Sequence, residues 1–266
     1  MCDMVYHGLL SSSEIQVDEF NTPAYMFSSY NGIDQLYGNG FTMYGRLSRK
    51  SNCLNHWQVM SRIRMKRYDY IIFGSIRRYN TFFDFSSWYY SSDKILSVDG
   101  EDDSIIDLRF VKKSKYFKRE LNSEQAGVYP INFSIPGELI VSMSPLKSKW
   151  LARLIPGDPQ TYIYRKEQEY YSDYQNSIFG MTRKKAGWDC LRHYEILMNG
   201  CIPYFHNISH CPENTLVTFP KEIIHETNFL FEKGEDFDHR KIIENLLDYT
   251  RENLTTMNLI RYLIGV

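Results

Sequence analysis

The 266 residues carry 31 Lys and Arg against 32 Asp and Glu, a net charge of −1. That balance excludes a field suited to nucleic acid or to an anionic membrane, so any anion site must come from local clustering. Apolar residues at 43% and charged residues at 24% describe an ordinary globular chain, and no apolar run reaches the length of about 20 residues that a membrane span needs.

From the start to about Ser51 the chain is rich in Gly, Ser, Tyr and Asn. Short strands and loops are expected there, around "MVYHGLL", "AYMF" and "GFTMYGRL". In "NHWQVMSRIRMK", residues 55–66, Trp57, Met60 and Ile63 have helical spacing. "YDYIIFGSIRR" then gives an apolar run of strand length, as a buried parallel strand would. The unit repeats through residues 79–93 into "KILSVDGEDD". Helix, strand, helix, strand is the order of a doubly wound α/β sheet, whose ligands collect beyond the carboxyl ends of the strands. Residues 122–160, with Pro130, Pro136, Pro145, Pro156 and Pro159, are expected to form a looser crossing, with a domain boundary near 135. A second series follows: "TYIYR" as a strand, "KEQEYYSDYQNS" as a short helix, "IFGMT" as a strand, "WDCLRHYEILMN" as a helix and "CIPYF" as a strand. The tail "DHRKIIENLLDYTRENLTTMNLIRYL" reads as a helix on a core, with Ile243, Leu246, Leu247, Leu254 and Met257 apolar. The expected fold is therefore α/β with two Rossmann-like doubly wound domains, residues 1–135 and 136–266.

Five scattered cysteines, an odd number, read as reduced thiols of a cytosol-like compartment. The chain opens without a basic segment followed by an apolar one, so no signal peptide is expected and the cytoplasm is the expected location. The 21 Tyr and 16 Phe offer faces for stacking on sugars or bases, although an AT-rich genome produces the same composition.

Chemistry concentrates between Ser177 and Phe205. Arg183, Lys184 and Lys185 follow the strand that ends at Thr182 and precede a helix expected to start near Trp188. A helix N-terminus presents N–H groups and the positive end of its dipole, so cations and donors converge where a pyrophosphate would fit. Arg192 and Glu195, three apart, share a helix face. From there Glu195 would reach the hydroxyls of an attached ribose. Gly200 closes the helix and Pro203 sits at the start of the next strand. The plainer alternative is a solvated loop, with Glu195 paired to Arg192.

This stretch resembles the donor-binding half of exostosin-like glycosyltransferases, whose pattern is Ser-x-Phe-Cys-Leu-x-Pro-Arg-Gly, then Arg-Leu-x-Asp/Glu-Ala, then Gly-Cys-Ile-Pro-Val. Ser177 and Phe179 match the opening, Lys184 stands where the family has Arg, and Arg192 and Glu195 match the Arg and the acid. Gly200, Cys201, Ile202 and Pro203 match the closing turn, whereas Lys185, His193 and Ile196 depart from Gly, Leu and Ala. The resemblance spans about 30 residues. It implies a GT-B-like fold, two Rossmann-like domains facing a central cleft, with the acceptor side in 1–135 and the nucleotide sugar in 136–266. It also implies inverting, metal-independent transfer from a nucleotide sugar, UDP-linked, to a glycan or glycoprotein acceptor, with no cofactor beyond that co-substrate. A fainter resemblance to the small exostosin-like enzymes of large algal viruses raises xylosyl transfer, and a viral protein would then work in host cytoplasm.

An inverting transferase needs a base for the acceptor hydroxyl, which in GT-B enzymes comes from the N-terminal domain. Asp99, Glu101, Asp102 and Asp103 follow the 94–98 strand, and clustered carboxylates raise one another's pKa. Asp102 is the preferred base, Asp99 the reserve and His7 a third choice. Arg77, Arg78, Lys118 and Arg119 are further cations for the diphosphate, with exposed surface charge as the plainer reading. Two rival readings stand beside this one. The first is a metal-dependent GT-A transferase holding Mn²⁺ or Mg²⁺ on the 99–103 turn. The second is a zinc-bearing interaction domain using Cys201, His206, His210 and Cys211.

Overall fold

The computed structural model describes residues 1–36, 41–48, 52–143 and 145–265; Gly40 of the expected "GFTMYGRL" element lies outside them. The chain is mixed α/β with parallel sheets. Its helices are α1 (Cys2–Ser11), α2 (His56–Arg64), α3 (Phe83–Tyr89), α4 (Leu108–Val111), α5 (Glu167–Gln175), α6 (Leu191–Met198), α7 (Lys221–Lys233), α8 (His239–Asn253) and α9 (Thr256–Gly265). Its strands are β1 (Asp18–Glu19), β2 (Asn52–Cys53), β3 (Ile71–Phe73), β4 (Ile95–Asp99), β5 (Lys115–Lys118), β6 (Val128–Pro130), β7 (Lys149–Leu151), β8 (Ser177–Thr182) and β9 (Ile202–Phe205).

Strands β3-β4-β5-β6 form the first main sheet and β7-β8-β9 the second, every pairing parallel, while β1 and β2 make a short parallel pair. All five residues of β4 are buried, because both faces of its sheet are covered, as parallel sheets require. Leu96 and Val98 point to one side, against Met4, Val5, Leu259, Ile260 and Leu263 of α1 and α9. Ile95 points to the other, against Phe83 and Phe110 of α3 and α4. Each such aliphatic side chain contributes about 1.5–3 kcal/mol by leaving water. The second sheet shares one core with α5, α6, α7 and α8, centred on Phe179, Ile196, Ile202 and Leu246.

The expected α2, β3, β4, α5, β8 and β9 all form. On α2 the core side is Val59 and Ile63, while Trp57 faces solvent. Other expectations need correcting. "MVYHGLL" is helix α1 and not a strand, and "AYMF" holds a 3-10 turn at Ala24–Met26. "TYIYR" is not a strand, since Pro159–Thr161 is a 3-10 turn; the edge of the second sheet is β7, inside the stretch expected to be loose. Strands β5 and β6 and helix α7 were not foreseen either. The tail is two helices, because Leu254 and Thr256 bond the backbone of Ile135 and break the run. That break lets α9 leave the second core and pack on α1. The chain therefore crosses between the two cores twice, side by side, at 135 and at 255.

The loops beyond the carboxyl ends of β5, β6 and β8 meet. Glu120 bonds the backbone of Trp188 and Asp189, and Asp189 bonds the backbone of Phe133. Among the described residues no helix is long and apolar enough to cross a membrane.

Candidate functional site

Helix α6 begins at Leu191, three residues later than expected, with Cys190 at the N-cap and no side-chain cap bond. It ends where expected, Gly200 taking φ +63°, a left-handed value that suits a residue without Cβ. Two polar side chains strap the preceding loop down. Thr182 donates its hydroxyl to His193 Nδ1 at 2.7 Å, and His193 Nε2 donates to the Trp188 carbonyl at 2.8 Å. Burial pushes His193 down to about 3, so the ring is neutral and serves as a buried bridge. Ser177 is also buried, donating to the Asp173 carbonyl at 2.6 Å where α5 hands over to β8. Ser177 and Thr182 are thus buried braces of the loop and the strand.

Arg183, Lys184 and Lys185 are exposed, and the Lys184 ammonium lies 5.0 Å from the Trp188 ring centre. The N–H groups ahead of the helix are not all free. Glu120 accepts from the N–H groups of Trp188 and Asp189, both at 2.9 Å. A Cβ at Gly187 would stand 2.5 Å from this carboxylate, so any larger residue would require Glu120 to shift. The chain's own anion therefore occupies part of the expected pyrophosphate cradle. Arg119, buried, holds Glu120 at 3.1 Å, donates to the carbonyls of Gly100 and Asp189, and pairs with Asp102.

Arg192 differs from the other arginines here. Its Nε and Nη1 are buried and have no hydrogen-bond partner. The guanidinium carbon lies 5.4 Å from the Tyr162 ring. Burial is the largest single influence on the Tyr162 phenol and would raise it, yet the charge of Arg192, the Gly157 N–H and the charge of Lys185 together hold it below its ordinary value. One turn on, Glu195 is buried, accepting from Tyr170 Oη at 2.6 Å and from the Thr42 hydroxyl. Burial raises its carboxyl above the usual range. Of the plainer alternative, the exposed lysine loop is present, but the carboxylate of Glu195 is taken by Tyr170 and Thr42 instead of Arg192. Tyr162, Tyr170 and Thr42 were not foreseen. The repeated tyrosines of "EYYSDY", with Tyr170 and Tyr174 at i and i+4, were the available signal.

On the other side of the junction, each carboxylate of the 99–103 turn has a cation. Asp99 is buried, its side chain 0% exposed, and bonds Tyr116 at 2.5 Å and Lys118 at 2.9 Å, with Arg77 at 3.7 Å. Glu101 takes Arg78 through two bonds of 2.5 and 2.9 Å, and Asp103 takes Arg77 at 2.6 Å. Asp103 is held down at about 2, chiefly by Arg77. Asp102 pairs with Arg119 while its side chain stays 60% exposed. Thus Arg77, Arg78, Lys118 and Arg119, expected as diphosphate contacts, neutralise this turn. Asp99 is sealed from solvent, whereas Asp102 is open to it. His7 is buried, within 2.9 Å of Thr256 and 3.2 Å of Glu138, and ties α1 to α9.

The cysteines are free thiols. Cys201 is buried with its thiol toward the Ile178 carbonyl, and Cys211 points to that of Thr215, while His206 and His210 are exposed. Among the described residues no three His, Cys, Asp or Glu side chains gather as a metal would require. Comparison with family models, with curated proteins and with solved structures finds no match for this chain.

Proposed function

We propose that the chain is a glycosyltransferase that moves a sugar from a nucleotide sugar, UDP-linked first among candidates, to a hydroxyl of a glycan acceptor. The observation that carries this reading is the guanidinium of Arg192. A buried cationic donor with no acceptor costs free energy unless a ligand completes it. A diphosphate supplies the missing acceptors, and Arg is the side chain best matched to phosphate geometry. Glu195, one turn away on the same helix, offers a carboxylate for ribose hydroxyls, and the exposed Lys184 and Lys185 add positive charge at the approach.

Two further observations support a GT-B-like arrangement with an acceptor side in 1–135 and a donor side in 136–266. Loops from the carboxyl ends of both sheets meet at Glu120, Arg119 and Asp189, and both chain crossings lie together near residues 135 and 255. In the proposed reaction the acceptor oxygen attacks the anomeric carbon from the face opposite the diphosphate. The C1–O bond breaks, its electron pair leaves with UDP, and the acceptor proton passes to Asp102. Inversion follows from that single displacement. Arg192 stabilises the charge developing on the leaving diphosphate, a role that preorganised cations fill without reorganising. No bridging cation is required, and the carboxylates of the 99–103 turn are engaged by arginine and lysine. Xylose is the first donor sugar to try.

The test is release of UDP from a panel of UDP-sugars in the presence of oligosaccharide acceptors. Turnover by wild type that is lost in Arg192→Met supports the reading. Absence of UDP binding at millimolar concentration would overturn it.

A further inference from the structure

Residues 41–46 lie against the face that carries Glu195. Phe41 stacks on Tyr170, ring centres 5.1 Å apart and planes within 12°. Thr42 is fully buried, and its hydroxyl donates to Glu195 and so accepts from Tyr171 Oη at 2.6 Å. Its N–H donates to Glu167 Oε1 at 2.9 Å. Arg46 closes the loop, donating to the Thr42 carbonyl at 3.0 Å and pairing with Glu167. Thr42 adopts φ +60°, a left-handed value that is costly for a β-branched residue. Strain of this kind persists only where surrounding contacts over-determine it, and it gathers at clamps and switches.

We infer that Phe41 and Thr42 are a resident plug in the nucleoside subsite, standing where a base and a ribose hydroxyl bind. This rests on the nucleotide reading of Arg192 and Glu195 given above. The likeness is chemical. A flat ring stacks on Tyr170 as a nucleobase would, and one hydroxyl bonds a buried carboxylate as a ribose hydroxyl would. A nucleoside and the plug compete for the same two groups, so binding requires the 41–46 segment to leave. The strain at Thr42 lowers the cost of that departure. The apparent affinity for nucleotide is then reduced by the fraction of molecules whose subsite is open. The plug also keeps Glu195 bonded while no nucleotide is present.

Two measurements test this, both with UDP as the probe. In the first, UDP affinity is compared between wild type and the variants Phe41→Ala and Thr42→Ala, each checked for a cooperative thermal transition. The expected result is tighter binding by the variants, by about tenfold if the plug occupies the site nine-tenths of the time. In the second, which needs no variant, trypsin cleavage after Arg46 of the wild-type chain is followed with and without UDP. Faster cleavage on adding UDP is expected. If wild type binds UDP while variants bind equally or more weakly, and cleavage at Arg46 is unchanged or slowed, the plug is refuted and the nucleotide site stands. If wild type and variants all fail to bind UDP, the nucleotide reading falls and the plug with it.

Discussion

Replacing Arg192 with Met should strengthen the unliganded fold and weaken nucleotide binding at once. Met keeps most of the length and apolar stem of Arg but brings no charge and no donor. In the unliganded chain Nε and Nη1 of Arg192 are buried without acceptors, and each such donor costs about 1–3 kcal/mol. Against their removal stands the lost cation–π contact with Tyr162 at 5.4 Å, worth about 0.5–2 kcal/mol. The net expectation, two donors less the lost contact, is a gain of about 0–5.5 kcal/mol. For a chain of this size that raises the melting temperature by about 2–4 °C per kcal/mol. With UDP present the sign reverses. Losing a charged hydrogen bond to phosphate costs about 1.5–3 kcal/mol, so affinity should fall roughly 10–150-fold. Thermal denaturation without ligand and calorimetric titration with UDP read the two effects separately. A variant destabilised by more than about 1 kcal/mol with unchanged UDP affinity would show that Arg192 is a structural cation whose partners are the ring faces around it.

Asp102→Asn should lower the turnover number by about 10²–10⁴-fold, the usual cost of losing a general base, while UDP affinity stays near that of wild type; equal turnover would remove Asp102 from the mechanism. Activity should survive EDTA, whereas activity abolished by chelation and restored by Mn²⁺ would make the 99–103 turn a metal site despite its ion pairs. Stability should depend on pH through His193, which burial lowers to about 3 from the ordinary imidazole value of 6.5. Between those values the unfolded chain holds a proton that the folded chain lacks, so stability rises with pH by up to about 1.4 kcal/mol per unit and is lost on acidification. Asp189, raised to about 6 by burial, works in the opposite direction between the ordinary aspartate value of 3.8 and about 6, since there the folded chain holds the extra proton. The readout is therefore the difference between wild type and His193→Gln in denaturant melts from pH 4 to 7, where the variant should show the flatter rise.

What could be read from sequence alone follows physical lines. Strands β4, β8 and β9 were legible because both their faces are covered, which leaves continuous apolar runs. Strand β7 was not, since its three residues are exposed at a sheet edge and stand in a stretch bounded by Pro145 and Pro156. Helix α1 was misread because Met4, Val5, Tyr6, Leu9 and Leu10 crowd into one short run, and such a run fits a strand or a helix equally. At the candidate site the sequence supplied residues adjacent in the chain: Arg192, Glu195 and the lysines before the helix. It could not supply Thr42, which meets Glu195 across 153 residues, or Glu120, which meets Trp188 across 68. The acids of the 99–103 turn looked available for the same reason, as the cations that engage them stand on other strands and loops.

The most direct test is a crystal structure of the chain with UDP. The expected result is a diphosphate against Nε and Nη1 of Arg192, with a ribose hydroxyl bonded to Glu195 in place of Thr42. A nucleotide seated elsewhere, with Arg192 still lacking an acceptor and Thr42 still on Glu195, would contradict the assignment of this helix face as the donor site.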